Sequence, residues 1–298
     1  MSQLSPLATG FCFLESPRWY QNRLWVSDFY QHAVFSIGLD GEIETEVTVA
    51  QQPSGLGWLP DGSLLIVSMK DRLLLRYHEQ QLEEYADLSA YVAGHCNDLL
   101  VDALGRAWVG NFGFDLMQGA AFQTANLLRI DPDRSVHVVA EDLYFPNGMA
   151  ICLEQQRLWV NETFGNRISA FDLDAQGHLS ARQDWAVFAD LVQSPHLTDY
   201  LTGCKVAADG ASVLDAEGAI WVADALGQRV LRVKQGQIVE QISTAPLGCF
   251  ACNLGGPQGR DLFLCVAPDY DEFKRQQEYA SELWQTQVAV PAAGWCAI

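Results

Sequence analysis

Positive charge is scarce in this chain. Its 298 residues include 18 Lys and Arg against 37 Asp and Glu, which gives a formal net charge of −19 at pH 7. A surface with this charge repels nucleic acid and anionic membranes, because both are polyanions. The composition therefore argues against nucleic-acid and membrane partners.

Targeting signals and a disulfide framework are also lacking. The N-terminus, MSQLSPLATGFCFLESPRW, has no basic start followed by a long apolar run, so it predicts neither a signal peptide nor a transmembrane segment. Eight scattered cysteines are too few for a disulfide scaffold in a chain of this length. We therefore expect a cytoplasmic protein with mostly reduced thiols, present as a monomer or a weak homo-oligomer.

Linkers and long helical patterns are missing as well. No Pro-, Gly- or Ser-rich stretch divides the chain, and 49% of its residues are hydrophobic, enough to bury a sizeable core. Most apolar runs are of strand length and are separated by short polar turns. We predict one mainly β domain over residues 1–298.

The sequence instead contains a short motif that is repeated six times. A polar residue is followed ten to twelve positions later by a bulky apolar anchor, with a tight turn between them. The pairs are Glu15 with Trp25, Ser54 with Leu65, Asn97 with Trp108, Asn147 with Trp159, Asp209 with Trp221 and Asn253 with Phe263. Successive anchors are 40, 43, 51, 62 and 42 residues apart. A period of about forty residues with four short strands is typical of a β-propeller blade.

The sequence thus predicts an all-β fold, a six-bladed β-propeller with four-stranded blades around a central channel. The last repeat is incomplete, while apolar residues near Phe11 and Phe13 are left over at the N-terminus. Because an open sheet edge invites unwanted pairing, we expect an N-terminal strand to close the ring.

The polar residues that head the inner strands are predicted to meet at one mouth of the channel, because these strands line the axis. The heads that would form an oxygen-rich ring are Glu15, Asn97, Asn147 and Asp209. Carboxylate and amide oxygens suit a hard divalent cation, most naturally Ca²⁺, with Mn²⁺ or Mg²⁺ possible and Zn²⁺ less favoured. Each residue alone is better explained by ordinary turn chemistry, but their recurrence at one offset favours a shared site.

Counting across each turn predicts a second polar group opposite each head, as antiparallel pairing requires. The predicted pairs are Glu15 with Asp28, Ser54 with Ser68, Asn97 with Asn111, Asn147 with Glu162 and Asp209 with Asp224. The four partners that we expect to orient the metal ligands or a bound water are Asp28, Asn111, Glu162 and Asp224.

Four segments resemble one known family. They are LESPRWYQNRLWVSD, HCNDLLVDALGRAWVGNFGFD, LYFPNGMAICLEQQRLWVNETFGNRISAFDLD and ADGASVLDAEGAIWVADALGQRVLRV. They are similar to the family that includes senescence marker protein, gluconolactonase and luciferin-regenerating enzyme, and the likeness covers nearly the whole chain. The resemblance implies a six-bladed propeller with one divalent cation in its channel. It also implies Glu15, Asn147 and Asp209 as metal ligands and Asn97 as a substrate-side residue.

The activity implied by this resemblance is that of a metal-dependent lactonase acting on a sugar lactone or a related small lactone. Our hypothesis is attack by a cation-activated water, with Asp209 serving both as ligand and as general base. One alternative is a phosphotriesterase or ester hydrolase on the same site, with Asp209 as a nucleophile. Another is a non-catalytic propeller that binds calcium.

The substrate side of the site departs from the family pattern. Sugar-lactone members often carry Arg two places before the Asn of the ND motif, where this chain has His95, so the resemblance leaves the substrate open. His95 either assists the reaction by proton transfer or hydrogen bonding, or fills space at the rim. Two insertions, 112–126 and about 183–203, are expected to build the pocket wall. Phe114 and Phe145 are its candidate aromatic residues.

Overall fold

The computed structural model describes residues 4–293 and contains 24 strands in six four-stranded antiparallel sheets. The sheets are the blades of a six-bladed β-propeller, which confirms the predicted fold. Blade 1 consists of β2 (Leu14–Tyr20), β3 (Arg23–Asp28), β4 (Ala33–Ile37) and β5 (Ile43–Thr48). Blade 2 consists of β6 (Pro53–Trp58), β7 (Leu64–Ser68), β8 (Leu73–His78) and β9 (Gln81–Asp87). Blade 3 consists of β10 (Cys96–Val101), β11 (Ala107–Asn111), β12 (Ala125–Ile130) and β13 (Val136–Leu143). Blades 4 and 5 consist of β14 (Pro146–Cys152), β15 (Arg157–Glu162), β16 (Arg167–Leu173) and β17 (Leu179–Val187), then β18 (Val213–Leu214), β19 (Ile220–Asp224), β20 (Arg229–Lys234) and β21 (Gln237–Ser243).

The last blade is completed by the N-terminus. Its strands are β22 (Gly248–Gly255), β23 (Asp261–Ala267), β24 (Ser281–Gln287) and β1 (Ser5–Phe11). The first strand of the chain pairs antiparallel with β24, as for Thr9 opposite Glu282. The predicted closure of the ring by an N-terminal strand is therefore confirmed, and this edge is covered.

Short helical segments occur in the loops between strands. They are a 3₁₀ turn (Leu116–Gln118), α1 (Leu197–Gly203) and α2 (Glu272–Glu278). Among residues 4–293, no helix combines the length and the apolar character needed to cross a membrane.

The apolar anchors of the repeat hold neighbouring blades together. Each anchor lies on the second strand of its blade and packs against the inner strand of the next. Trp25 of blade 1 meets Trp58 of blade 2 edge to face, with ring centroids 5.3 Å apart. Trp108 of blade 3 is fully buried in a cluster with Met149 and Ile151 of blade 4. Because each anchor removes a large apolar surface from water between two sheets, the repeat fixes how blades stack.

The register of the inner hairpins differs from the prediction. Leu14, and not Glu15, pairs with Asp28. The residues that pair with Ser68, Asn111, Glu162 and Asp224 are Pro53, Cys96, Pro146 and Ala208. In every case the partner is the residue before the head. The five predicted pairs are therefore wrong by one residue.

A bulge in the inner strand explains this offset in blades 1 to 4. Near the turn the counted register holds, as for Trp19 opposite Leu24, but it shifts between Arg18 and Glu15. Equivalent shifts interrupt β6, β10 and β14. Bulges insert an extra residue and re-aim the side chains around them. Residues that pair across two strands point to the same face of the sheet. The predicted second-strand partners therefore share a face with the residue before each head, and not with the head itself.

Candidate metal centre and pocket

The heads of the inner strands converge at one end of the channel. Asn97 Nδ2 of blade 3 donates a hydrogen bond of 2.9 Å to Asn147 Oδ1 of blade 4. Asn147 Nδ2 in turn donates to Asp209 Oδ1, at the entrance to blade 5. Ser54 Oγ of blade 2 donates to Asn97 Oδ1 at 3.0 Å and extends the chain by one blade. Four blades are thus linked through side chains that the repeat places at equivalent positions.

Glu15 of blade 1 completes the group from the other side. A Cβ atom added to Gly210 would lie 2.6 Å from Glu15 Oε2, so this carboxylate rests directly over the residue that follows Asp209. Gly148 makes a similar approach, because a Cβ atom there would lie 2.6 Å from the carbonyl oxygen of Asp209. The glycines of the PNG and DG motifs are therefore required by close packing around the ring.

The two carboxyl groups of the ring are both buried, with Glu15 6% and Asp209 8% exposed. Burial raises the pKa of Glu15 well above its usual value, and the charges of Asp209 and Asp98 raise it further. Burial likewise raises the pKa of Asp209, and the charge of Asp98 adds to the effect. A divalent cation between these carboxylates would relieve both the burial cost and the repulsion, so their electrostatics fit a cation site.

The third predicted ligand fits such a site with one adjustment. Within residues 4–293, no three His, Cys, Asp or Glu side chains are grouped so that they could hold a metal ion, and the candidate set has an amide as its third donor. Asn147 turns its amide nitrogen toward Asp209 and its oxygen toward Asn97. A half-turn of this amide exchanges the two atoms in nearly the same space, provided that Asn97 turns with it so that Asn97 Oδ1 accepts from Asn147 Nδ2. Two carboxylates and one amide oxygen then form a hard donor set of the kind that Ca²⁺ prefers.

The residues that support the ring lie one position away from those predicted. Asn161 Nδ2 donates to the carbonyl oxygen of Asp209 at 2.7 Å. Thr163 Oγ1 accepts from Asn147 Nδ2 at 3.0 Å and donates to the Ala208 carbonyl at 2.9 Å. These two residues flank Glu162, and the alternation of a strand turns them to the ring while Glu162 faces away. Counting residues across the turns assumes a regular strand, so it did not allow for the bulge that brings these two residues to the ring.

The side chains predicted to orient the ligands bind elsewhere. Asp28 accepts from the backbone N–H groups of Cys12 and Phe13, at 2.7 and 3.1 Å, and of two residues in the turn after β3. Glu162 accepts from the guanidinium groups of Arg167 and Arg182. Within residues 4–293, the hydrogen bonds of both side chains go to groups other than the ring side chains.

Asn111 and Asp224 also have other partners. Asn111 donates to the Asn126 carbonyl at 2.6 Å and accepts from the Gly113 N–H at 3.0 Å. Asp224 accepts from Arg229 Nε at 2.7 Å and from the Ala207 N–H at 3.0 Å. Both fix the turns that follow the second strands, which is a structural role.

Asp98 is a buried residue of the site that the sequence argument did not single out. Its Oδ2 accepts from the Ala211 N–H at 2.6 Å, and its Oδ1 accepts from Arg18 at 3.2 Å and from the Leu99 N–H at 2.8 Å. It therefore joins the inner strands of blades 1 and 3 to the segment entering blade 5, directly beneath Glu15 and Asp209. The ND motif contained this residue next to Asn97.

A cavity of about 250 Å³ lies against the ring. Glu15, Asn97 and Asp209 line it, and so do His95 and Phe145, two of the residues proposed to bind the substrate. Burial lowers the pKa of His95, which favours the neutral imidazole.

Phe114 does not line this cavity, in contrast to the prediction. It is 3% exposed, and its ring packs against Phe122 with centroids 5.4 Å apart. Phe114 therefore supports the wall from behind.

Both predicted insertions contribute to the cavity wall. Leu116 and Met117 come from the 3₁₀ turn, and Leu201 comes from α1. The two insertions are joined by a stack of Phe122 on Tyr200, with ring centroids 4.2 Å apart. A third loop, 268–280, was not foreseen and supplies three lining residues, Pro268, Asp269 and Tyr270.

A larger cavity, of about 490 Å³, lies at the opposite end of the channel. It contains none of the ring residues, and its polar side chains include Arg18, Asn253 and Gln258. Asn253, the polar residue of the sixth repeat, therefore does not belong to the ring. The smaller cavity is the one that contains the candidate chemistry.

The fold and the site define a six-bladed propeller with an oxygen-rich centre at one mouth of its channel. Residues 13–268 match the model of the family described as the SMP-30/Gluconolactonase/LRE-like region. The chain belongs to this family.

Individual relatives are distant. The chain is 26% identical over 228 residues to a 6-deoxy-6-sulfogluconolactonase from Pseudomonas putida, an alignment that covers 76% of this chain and 72% of that protein. It is 26% identical over 174 residues to regucalcin from Danio rerio, covering 57% and 54%. Among solved structures, a luciferin-regenerating enzyme has a TM-score of 0.79 at 17% identity, covering 98% of this chain and 97% of that one. A calcium-binding regucalcin from Agrobacterium tumefaciens has a TM-score of 0.76 at 19% identity, covering 98% and 95%. These structural similarities show the shared fold.

Proposed function

We propose that this protein is a metal-dependent lactonase. The observation that carries the proposal is the convergence of Glu15, Asn147 and Asp209, with Asn97 beside them, next to a cavity that Glu15, Asn97 and Asp209 line. Membership in a family named for gluconolactonase supports it, as does the relative from Pseudomonas putida, which is a lactonase by name.

Glu15, Asn147 and Asp209 would hold the cation, and the hardness of their oxygens favours Ca²⁺. Support for calcium comes from the regucalcin of Agrobacterium tumefaciens, which is described as calcium-binding. When bound, the cation supplies Lewis-acid polarisation of the lactone carbonyl and stabilises negative charge on its oxygen.

Asp209 is the proposed general base. It takes a proton from a water as the water oxygen bonds to the lactone carbonyl carbon. As the ring C–O bond breaks, the same proton returns to the departing ring oxygen, so that one water and one lactone give one hydroxy acid. Asn97 lies beside the ligands and orients the substrate through its amide, while Phe145 excludes bulk water from this part of the cavity.

The test is a panel of γ- and δ-lactones assayed by proton release after treatment with a chelator. Ca²⁺, Mn²⁺, Mg²⁺ and Zn²⁺ are then added back one at a time, and we expect turnover to require a cation. Asp209→Asn should lower kcat by roughly 100-fold or more, the usual contribution of a general base. Glu15→Gln should weaken cation binding, whereas Glu79→Gln, a matched change at a side chain that is 85% exposed, should not.

Two outcomes would replace this proposal. If a cation raises the melting temperature but no lactone is opened, the protein is a non-catalytic calcium-binding propeller. If phosphotriesters or simple esters are cleaved instead, and ¹⁸O from labelled water enters Asp209 during a single turnover, the site is an ester hydrolase with Asp209 as nucleophile.

A further inference from the structure

We propose that this cavity selects a small lactone with an apolar aryl or alkyl substituent, in preference to a polyhydroxylated sugar lactone. The inference rests on the proposed lactonase function and specifies its substrate class. Its basis is the chemistry of the cavity wall on the side away from the ring.

The wall is mostly apolar and rich in aromatic side chains. Six phenylalanines line the cavity, namely Phe13, Phe29, Phe112, Phe145, Phe164 and Phe250. Several are in mutual contact, with centroid distances of 4.7 Å for Phe112 and Phe145 and 4.8 Å for Phe13 and Phe250. Aromatic clusters of this kind stabilise a flat apolar group by burial and by ring stacking.

Most polar side chains on the wall already have partners within the protein. Gln52 donates to Glu272 Oε1 at 3.0 Å, and Gln228 donates to the Pro246 carbonyl at 2.9 Å. Asp269 accepts from Arg275 Nε at 3.0 Å. The cavity lining found within residues 4–293 contains no Lys or Arg.

Several hydroxyl groups buried against such a wall would lack partners. An unpaired hydroxyl costs roughly 1–3 kcal/mol in a protein interior, so a polyhydroxylated ligand is disfavoured several times over. An unhydroxylated ring carries no such penalty.

Among the described residues that line the cavity, only His95 has a buried polar side-chain atom without a partner. Its Nδ1 atom is buried and has no hydrogen-bond partner, although its ring packs on Phe112 with centroids 5.8 Å apart. Buried polar atoms are normally paired, but no hydrogen bond through this nitrogen fixes the imidazole of His95, which lines the cavity. The wall therefore accommodates one polar group on an otherwise apolar substrate.

The size of the cavity agrees with a small ligand. Its volume of about 250 Å³ is slightly below the usual range for ligand pockets, which is about 300–1,000 Å³. A lactone fused to one aromatic ring, or one with a short alkyl chain, is in the right size class.

The decisive experiment compares two six-membered lactones on the cation-loaded protein. They are dihydrocoumarin, which is fused to an aromatic ring, and δ-gluconolactone, which carries four hydroxyl-bearing substituents. We expect the background-corrected kcat/KM for dihydrocoumarin to be higher by roughly 100-fold, in line with the discrimination that a few unpaired hydroxyls provide. A ratio that favours δ-gluconolactone would overturn the inference while leaving the lactonase proposal intact.

A binding measurement separates the two proposals if hydrolysis fails. The unreactive lactams that correspond to the two lactones are titrated into the protein by calorimetry. Binding of the aryl-fused lactam alone, without lactone turnover, upholds the ligand class and removes the lactonase function. Equal binding, preferred binding of the hydroxylated lactam, or no binding of either one contradicts the ligand class.

Variants at the wall give a second readout. Met117→Gln places a polar group in the half-buried 3₁₀ turn, and we expect it to lower kcat/KM for dihydrocoumarin roughly tenfold, whereas Met117→Leu should not. His95→Arg introduces a guanidinium at the cavity and should raise kcat/KM for δ-gluconolactone relative to dihydrocoumarin about tenfold, with His95→Gln as control. Unchanged substrate ratios in both variants would show that this wall does not contact the substrate.

Discussion

Asp98 Oδ2 accepts a hydrogen bond of 2.6 Å from the backbone N–H of Ala211, which lies 113 positions further along the chain. Ala211 is two residues after Asp209, so this contact fixes the backbone that carries the proposed base. The same carboxylate is paired with Arg18 of blade 1. Three blades therefore depend on one buried charge just below the ring.

We expect Asp98→Asn to destabilise the protein in the presence of Ca²⁺ by about 3 kcal/mol, because it leaves Arg18 without its charged partner in a largely buried place. It should also lower kcat, since the segment that carries Asp209 loses an anchor. Urea unfolding and lactone kinetics measure the two effects. Asp40→Asn, an exposed change of the same kind, is the control. A loss no larger than that of the control would mean that Asp98 is not an anchor.

Gly148 has no room for a side chain. A Cβ atom would lie 2.6 Å from the Asp209 carbonyl and 2.9 Å from Asn161 Nδ2, both held in place by hydrogen bonds. Gly148→Ala should therefore cost about 1–3 kcal/mol through overpacking and should reduce activity by displacing Asp209. Gly218→Ala is the comparison, because a Cβ atom there meets nothing within 4 Å and pays only for its φ of +72°. Similar losses at the two sites would argue against close packing as the cause.

Removal of the cation should make stability depend on pH through Glu15. The pKa of Glu15 is raised in the folded protein by burial and by the charges of Asp209 and Asp98. A carboxyl group of this kind stabilises the fold below its unfolded pKa, and this contribution is lost as pH rises through the raised pKa. With chelator present, we therefore expect the free energy of unfolding to fall as pH rises above the usual range of a glutamate pKa.

Glu15→Gln is expected to flatten that dependence and to make the chelated protein more stable than the wild type near neutral pH. The gain arises because the change removes a buried charge that repels Asp209. Urea denaturation across the pH series measures it, with Glu79→Gln as the exposed control. A chelated variant that is no more stable than the wild type at neutral pH would contradict this account.

Glu162 should behave as a structural ion-pair residue. Burial by itself would raise the pKa of Glu162, but the hydrogen bonds and charges of Arg167 and Arg182 outweigh it and hold the pKa below its usual value. A lowered carboxyl pKa stabilises the fold above the unfolded value, and this stability is lost as pH falls through the lowered pKa. Glu162→Gln should therefore cost about 3–5 kcal/mol at neutral pH, and less in acid.

The same variant distinguishes this role from the predicted one beside the metal. Calorimetric titration with Ca²⁺ should give the same affinity for Glu162→Gln and the wild type, measured where both are folded. Thr163→Val, which removes the hydroxyl that binds Asn147, should weaken Ca²⁺ binding instead. Weakened affinity in Glu162→Gln alone would restore the original assignment.

The blades and the ring were both accessible from the sequence. Trp108 and Trp221 are repeated at the spacing of a blade, and burial of such large side chains is the dominant energy that stacks one sheet on the next. The polar heads follow the same period, so Asn97 and Asn147 had to arrive at equivalent points of neighbouring blades. Both results follow from periodicity, because residues at equivalent points of the sequence repeat occupy equivalent points of neighbouring blades.

The face of the sheet to which each side chain points could not be predicted in the same way. Counting from the turns paired Glu162 with Asn147, but a bulge between Pro146 and Met149 moved the register by one residue. In a strand, a shift of one residue turns every side chain to the other face. Asn161 and Thr163 therefore face the ring, and Glu162 binds arginine.

The sequence by itself determined that six similar units close into a ring and which polar residues head its inner strands. These features depend on the spacing of the repeats and on the burial of their apolar anchors, and both can be read from the order of residues in the sequence. The tertiary structure alone decided which second-strand residues support the site, that Asp98 links three blades beneath it, and that six phenylalanines enclose the cavity. Such contacts join residues that are far apart in the chain, and they depend on bulges and loop paths whose effect appears only when the blades are assembled.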